Sequence, residues 1–309
     1  MFAPLSLTIP IFLLSIIGLY GNIKFILMNR KEANLHKRLL LFLVAIQTPL
    51  CFTMFIDVLR DYCGIPLTRQ SCLRFVGAIY ACLVVAMSIF YCCMGVEMIA
   101  LVARPLLFSR LKAWWFHIPV YIGSLLHIYP VYMSWISPEN HGVTLCFSPM
   151  AISPDQRVYG KTLLWVCSII MFIEDMIFLV YLLAKKSMLK NSFTTRQLLP
   201  SFAIVNIHLF FWIISTLIIM FSAELSAVSG ISPLNLLNFT QLTSAVTFGQ
   251  TYYAYFFANS QNRRAFLKRG PIALFQPASE SSVNQIQPSN SISTRNSISL
   301  ATSRPQLRN

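Results

Sequence analysis

Charge is what this sequence has least of. Only 11% of its 309 residues are Asp, Glu, Lys or Arg, where a soluble chain carries about a quarter. The deficit excludes an ordinary water-facing surface and leaves much of the chain to face lipid. Acids are scarcest: 10 Asp and Glu stand against 24 Lys and Arg, for a net charge of +14. The five histidines, His36, His117, His127, His141 and His208, are scattered without a His-x-x-His spacing, so a metal box is not expected. No Gly-rich phosphate loop occurs either. These gaps argue against a membrane enzyme and against a cofactor.

What is present is a succession of apolar runs, 56% of the chain being hydrophobic. A membrane-crossing helix needs about 20 mostly apolar residues. Uncharged stretches predict seven such helices, near 5–28, 38–59, 73–101, 114–137, 161–184, 199–222 and 234–257. The first is read as a span, not a cleaved signal peptide, because no basic residue precedes it and no clear small-residue cleavage site follows. The basic residues sit between the runs, so the positive balance reads as topology and no nucleic-acid partner is expected. Near the membrane, fifteen Lys and Arg fall on the side of the first, third and fifth connections and the C-terminus, and five on the other. That bias makes the first side cytoplasmic and puts the N-terminus outside. The loops leave no room for a soluble domain. An external ligand must then sit among the helices or under the second outer loop, about residues 138–160, which favours a small molecule.

Cys63, Cys72 and Cys146 fall on the outer, oxidising side, where disulfides persist. Cys72–Cys146 is the expected pair, with Cys63 competing for either partner. Glu174, Asp175 and His208 lie within predicted spans, where ionisable groups normally face the bundle interior. If Glu174 and Asp175 were an ion site, the chain would be a transporter or ligand-gated channel. Broken helices and repeats would support it, but no internal repeat is visible. Asp57, Arg60 and Asp61 read first as a solvated helix end, with reception of a charged ligand as the other reading. Met87, Tyr91, Trp165, Phe211 and Trp212 read first as bundle packing. Asn238-Phe239-Thr240 matches a glycosylation sequon but falls at or within the last span. The segment 279–303 is rich in Ser, Thr and Asn, and its low apolar content predicts disorder. Arg263, Arg264, Lys268 and Arg269 stand where anionic membrane lipid would attract them.

Several local patterns converge. "GLYGNIKF" puts Gly21-Asn22 in the first span, and Cys72 and Cys146 sit at the third span's outer end and in the second outer loop. "EMIALVARPL", Glu97 to Leu106, has an acid eight residues before Pro-Leu, and "YFFANSQNRRAFLKR" closes the last span. In these features the chain resembles a rhodopsin-like seven-transmembrane G-protein-coupled receptor over residues 5–269. It departs from that pattern at Met98, Thr48, Ile214 and Thr251-Tyr252-Tyr253-Ala254-Tyr255, where relatives keep an arginine, a sodium-binding acid, a proline and Asn-Pro-x-x-Tyr. Such eroded motifs resemble the nematode serpentine chemoreceptors.

The resemblance implies an all-α seven-helix membrane bundle, residues 1–269, ending in a short inner-leaflet amphipathic helix about 258–269. A disordered cytoplasmic tail, 270–309, would follow. It implies a plasma-membrane receptor, in sensory cilia for a chemoreceptor. Its partners would be a small-molecule ligand, a heterotrimeric G protein and membrane lipid, with a kinase and an arrestin at the Ser/Thr-rich tail. It also makes the fifth and sixth helices neighbours, so His208, with Asn206, is expected to meet Glu174 or Asp175. Trp212 would be the motion-sensing tryptophan beneath the ligand, and Tyr255 the tyrosine closing the last helix. With Met98 in place of the usual arginine, Glu97 is expected to lock to Arg196 at the base of the sixth helix, with Arg110 or Lys112 as other partners.

Overall fold

In the computed structural model the apolar runs form long helices. The structure describes residues 5–30, 35–103, 113–137, 142–143, 146, 151–184, 193–258, 263, 264 and 267. In chain order the helices are α1 (Leu5–Asn29), α2 (Leu35–Tyr62), α3 (Arg69–Ala103), α4 (Ala113–Ile136), α5 (Pro154–Ala184), α6 (Phe193–Met220), the short α7 (Ser222–Ser229) and α8 (Pro233–Ala258). Two-residue strands β1 (Leu67–Thr68) and β2 (Gly142–Val143) pair antiparallel, Leu67 opposite Val143 and Thr68 opposite Gly142.

This is an all-α membrane protein. The segments Leu7–Asn29, Leu35–Tyr62, Arg69–Ala103, Pro154–Ala184 and Leu198–Met220 are long and apolar enough to cross a bilayer. Helices α4 and α8, of 24 and 26 residues, match them in length. Helix α4 carries Trp, Tyr, His and Pro that lower its hydropathy, and α8 carries a buried stripe of Thr, Ser, Asn and Gln. Large apolar side chains such as Trp115, Leu125, Tyr129, Phe172 and Leu183 are exposed. That outward greasy surface is expected where the solvent is lipid and all backbone groups are paired within helices.

Two helices begin before their apolar runs. Helix α5 starts at Pro154, seven residues ahead of the expected span, because Ser153 O accepts from the N–H groups of Gln156 and Arg157. Proline suits a first turn, where its missing N–H costs nothing. Helix α6 likewise starts at Phe193. An apolar run marks where lipid begins; the helix continues past it into the polar boundary.

Close approach at small residues sets the packing, as is usual between membrane helices. A Cβ on Gly18 of α1 would lie 2.9 Å from Gly249 Cα of α8, so the two backbones touch there. A Cβ on Gly95 of α3 would lie 2.1 Å from Glu174 Oε2 of α5. Between Cys72 and Ala78, α3 makes one wide π turn, Leu73–Gly77. At its end a Cβ on Gly77 would fall 2.6 Å from Ala151 Cβ, so this turn receives the second loop.

Cys72 and Cys146 form a disulfide with Cα atoms 5.4 Å apart. They sit in a buried cluster with Leu73, Val76, Val131, Ala151 and Ile152. The first compact unit spans Met1–Arg263 and the second Arg264–Asn309. In the second, only Arg264 and Leu267 are described, both exposed. The expected amphipathic helix, apart from Ala258, Arg263, Arg264 and Leu267, and the whole tail 270–309 lie outside the described residues.

Candidate functional site

Asp57 is the hub of the disulfide end. Its Oδ1 accepts from Arg60 Nη2 at 2.9 Å and Nε at 3.2 Å. Its Oδ2 accepts from the Cys146 N–H at 2.5 Å and from Gln241 Nε2 at 3.4 Å. One carboxylate thus ties α2, the loop beside the disulfide and α8 together. The expectation of a solvated helix end is corrected here: Asp57, Arg60 and Asp61 are all buried. Cys146 and Gln241 close on Asp57 while Arg60 folds back onto Asp57 and Ile65 O, so charges at the end of an apolar run became interior ones. Arg69 is wholly buried too, its guanidinium donating to the carbonyls of Ser134, Ser137 and Ala151. Sequence reasoning counted it only as an outer charge.

Beneath this layer α3, α4, α5, α6 and α8 surround a cavity, with Ile152 of the second loop on its wall. Water centres can occupy about 70 Å³ of it. Two deeply buried polar groups face it without a partner: both ring nitrogens of His127, 2% exposed, and the indole nitrogen of Trp212, 6% exposed. Ser215, Thr216, Thr240 and Ser244 add hydroxyls, and Arg157 and Lys161 stand on the α5 wall. Of the aromatic candidates, Trp212 lines this cavity and Tyr91 lies in the layer below.

Trp212 is also the start of a stack. Its ring lies 5.3 Å from that of His208, and His208 lies 3.7 Å from Tyr91, both nearly parallel. Tyr91 Oη accepts from Gln47 Nε2 at 3.0 Å and Gln250 Nε2 at 3.4 Å. Gln47 Oε1 accepts from Thr251 Oγ1 at 2.7 Å, and Gln250 also donates to Ile204 O at 3.0 Å. Four helices, α2, α3, α6 and α8, meet in this network. Helix α1 joins through Asn22, which donates to Phe248 O at 3.0 Å. The inward group on α2 is Gln47. Thr48, one residue on, hydrogen-bonds back to Val44 O of its own helix. Gln47 could have been found as a polar residue inside an apolar run; the motif register drew attention to its neighbour.

The expected meeting of His208 with Glu174 or Asp175 does not occur. Both His208 nitrogens, Glu174 Oε2 and both Asp175 oxygens lack hydrogen-bond partners. Matching depth put the groups at one level, but rotation about the axis decides contact. His208 turns toward α3 and Tyr91, and Glu174 turns into the notch at Gly95. Asn206 donates to Phe202 O of its own helix at 2.8 Å.

At the other end Glu97, fully buried, has a partner. His36 Nδ1 lies 2.8 Å from Glu97 Oε1 and 3.1 Å from Oε2. His36 Nε2 lies 2.7 Å from Ser201 Oγ. The imidazole therefore bridges α3 to α6 from the start of α2. The carboxylate expected to reach Arg196 is thus held by His36. The side chain of Arg196, and Arg110 and Lys112 altogether, lie outside the described residues. Met98, at the position where relatives keep an arginine, is fully buried. Tyr255 is half-buried, its ring edge-on to Phe25 at 5.3 Å. Asn238 of the sequon is buried in α8.

The sequence model of the family described as serpentine type 7TM GPCR chemoreceptor Srsx matches residues 15–269. The chain belongs to this family. No curated protein matches it significantly. Members of this family are receptors and not enzymes, so this Srsx chemoreceptor has its place among G-protein-coupled receptors. Its covalently tethered loop, central cavity, aromatic stack and buried polar layers are the parts from which a receptor's switch can be made.

Proposed function

We propose that this Srsx protein is a chemosensory receptor that binds a small molecule in the cavity above Trp212. It then signals through a heterotrimeric G protein at the end where His36, Glu97 and Ser201 meet. The observation that carries this reading is a cavity lined by two buried, unpartnered polar groups, His127 and Trp212, one of which begins the stack toward Tyr91. Buried polar atoms without partners are costly, and a ligand that supplies partners recovers that cost. Along α2, His36 lies 21 residues from Asp57, or about 30 Å. The ligand end and the Glu97 end thus face opposite sides of a membrane.

In this reading α1–α6 and α8 are the seven spans, residues 1–269 the receptor domain and 270–309 a cytoplasmic tail. The N-terminus is extracellular and the protein resides in the plasma membrane, in cilia where the cell is sensory. Phosphorylation of the tail's Ser and Thr by a kinase would create charge for an arrestin to read. The His36–Glu97–Ser201 bridge holds the receptor off by clamping α6 to α3. Trp212 is the element a ligand moves, and Tyr255 supports the last helix against α1. The alternative of a transporter or channel using Glu174 and Asp175 is weaker, because the family is one of receptors.

The test is heterologous expression of the full chain with a tag at each terminus, read by tag accessibility and by a G-protein assay across a panel of volatile and water-soluble compounds. An extracellular N-terminus and a compound-dependent signal that Trp212→Ala abolishes at equal surface level are expected. An intracellular N-terminus would overturn the reading.

A further inference from the structure

Resting on that reading of the cavity, we infer that its ligand is a compact organic anion, a small carboxylic acid in its ionised form, bound through Lys161. The charge on the lining is one-sided. Arg157 and Lys161 both line the cavity, and none of its described lining residues is acidic. They stand four residues apart on α5, so they project from the same helix face. Arg157 is already used, its Nε donating to Ile152 O of the loop at 3.0 Å. Lys161 has no hydrogen bond or ion pair among the described residues and is half-buried. A cation in that position offers three donors and a point charge to whatever enters.

The rest of the wall fixes the shape of the partner. His127 and Trp212 supply polar groups at 2% and 6% exposure, and neither has a partner. The indole can only donate, so its complement is an acceptor oxygen. Gly160 brings the α5 backbone against His127: a Cβ there would lie 3.7 Å from the imidazole. His127 and Lys161 thus line the same cavity, with Gly160 between them in contact with the imidazole. Val84, Val85, Leu164 and Ile219 supply the apolar remainder. A carboxylate has acceptors for Lys161 and one further donor, and a short apolar body suits the other wall. The cavity volume of about 70 Å³, at roughly 10–15 Å³ per water, corresponds to about five to seven waters. A space of that size suits a compact occupant.

The probe is a series of ionised acids of increasing size, from acetate and propanoate through 2-methylbutanoate to benzoate, each paired with its primary amide. The full-length receptor is purified in a neutral detergent, which removes anionic lipid as a competing source of charge, and thermal stability is read against concentration. At least one acid should raise Tm saturably while its amide, equal in shape, does not. Lys161→Gln should weaken that acid by about tenfold or more, as expected for losing a charged hydrogen bond, and Lys161→Arg should largely keep it. His127→Phe should weaken the same acid and leave its amide without effect. Acids and amides acting alike, no acid acting on the wild type, or Lys161→Gln leaving the acid's half-effect unchanged, would each overturn the inference. The G-protein assay separates this from the broader reading: a neutral compound that signals through Trp212 keeps the receptor and removes the anion.

Discussion

Replacing Glu97 with Gln tests the switch most directly. The change keeps shape and an acceptor oxygen but removes the charge facing His36. Glu97 is fully buried and His36 is 4% exposed, so solvent screens little of the pair. Two contacts, at 2.8 and 3.1 Å, make it a charge-assisted interaction, and hydrogen bonds to charged groups contribute about 1.5–3 kcal/mol. If the bridge exists only with α6 docked on α3, losing it shifts the resting equilibrium toward the active form by about 10- to 100-fold. A receptor about 0.1% active at rest would become about 1–10% active, a range the assay resolves. The measurement is ligand-free G-protein signalling normalised to surface receptor. Ser201→Ala, which removes the other end of the bridge, should raise basal signalling less, since it loses a neutral hydroxyl. The double variant should show the two effects coupled, because both act through one imidazole. Unchanged basal signalling in both single variants, at wild-type surface levels, would refute the reasoning and leave the bridge a packing contact.

Three further outcomes follow from the other layers. Asp57→Ala strands Arg60 in a buried site and releases the Cys146 N–H; a loss of about 3 kcal/mol is expected, seen as lower thermal stability and faster reduction of the disulfide. Gly95→Ala forces a Cβ into the Glu174 carboxylate, costing about 1–3 kcal/mol by overpacking, and Glu174→Ala in the same chain should recover much of the lost stability. Tyr91→Phe keeps the ring on His208 but leaves Gln47 and Gln250 without their shared acceptor. A stability loss of about 1–3 kcal/mol is expected, and an unchanged Tm would show that the amides find other partners.

The helices were legible because lipid imposes a simple rule. A run such as 75–96, without a charge, has few alternatives to a helix in a bilayer, and the observed α3 contains it whole. The cysteine pair was legible from side and spacing, and the competitor Cys63 remains a free, exposed thiol. Lys161 and His127 were not recognised as lining one cavity. They lie 34 positions apart on helices that meet only when the bundle closes, and neither carries a motif. His36 was missed for the same reason: it was counted only to rule out a metal site, while every candidate partner for Glu97 was a fixed cation. A histidine beside a buried acid can serve equally well.

Composition and run length by themselves determined that this chain crosses a membrane as helices, and the broken motifs already pointed to its receptor family. Both properties are sums over local sequence, so no contact has to be known. Which face each helix turns inward was decided only in the tertiary structure. One residue of rotation, about 100°, separates Gln47 in the central network from Thr48 on its own helix, and the same freedom carried Glu174 away from His208. Because the apolar faces offer similar packing at many rotations, the notches at Gly18, Gly95 and Gly249 and the pairing of buried polar groups select one. That selection placed Glu97 against His36.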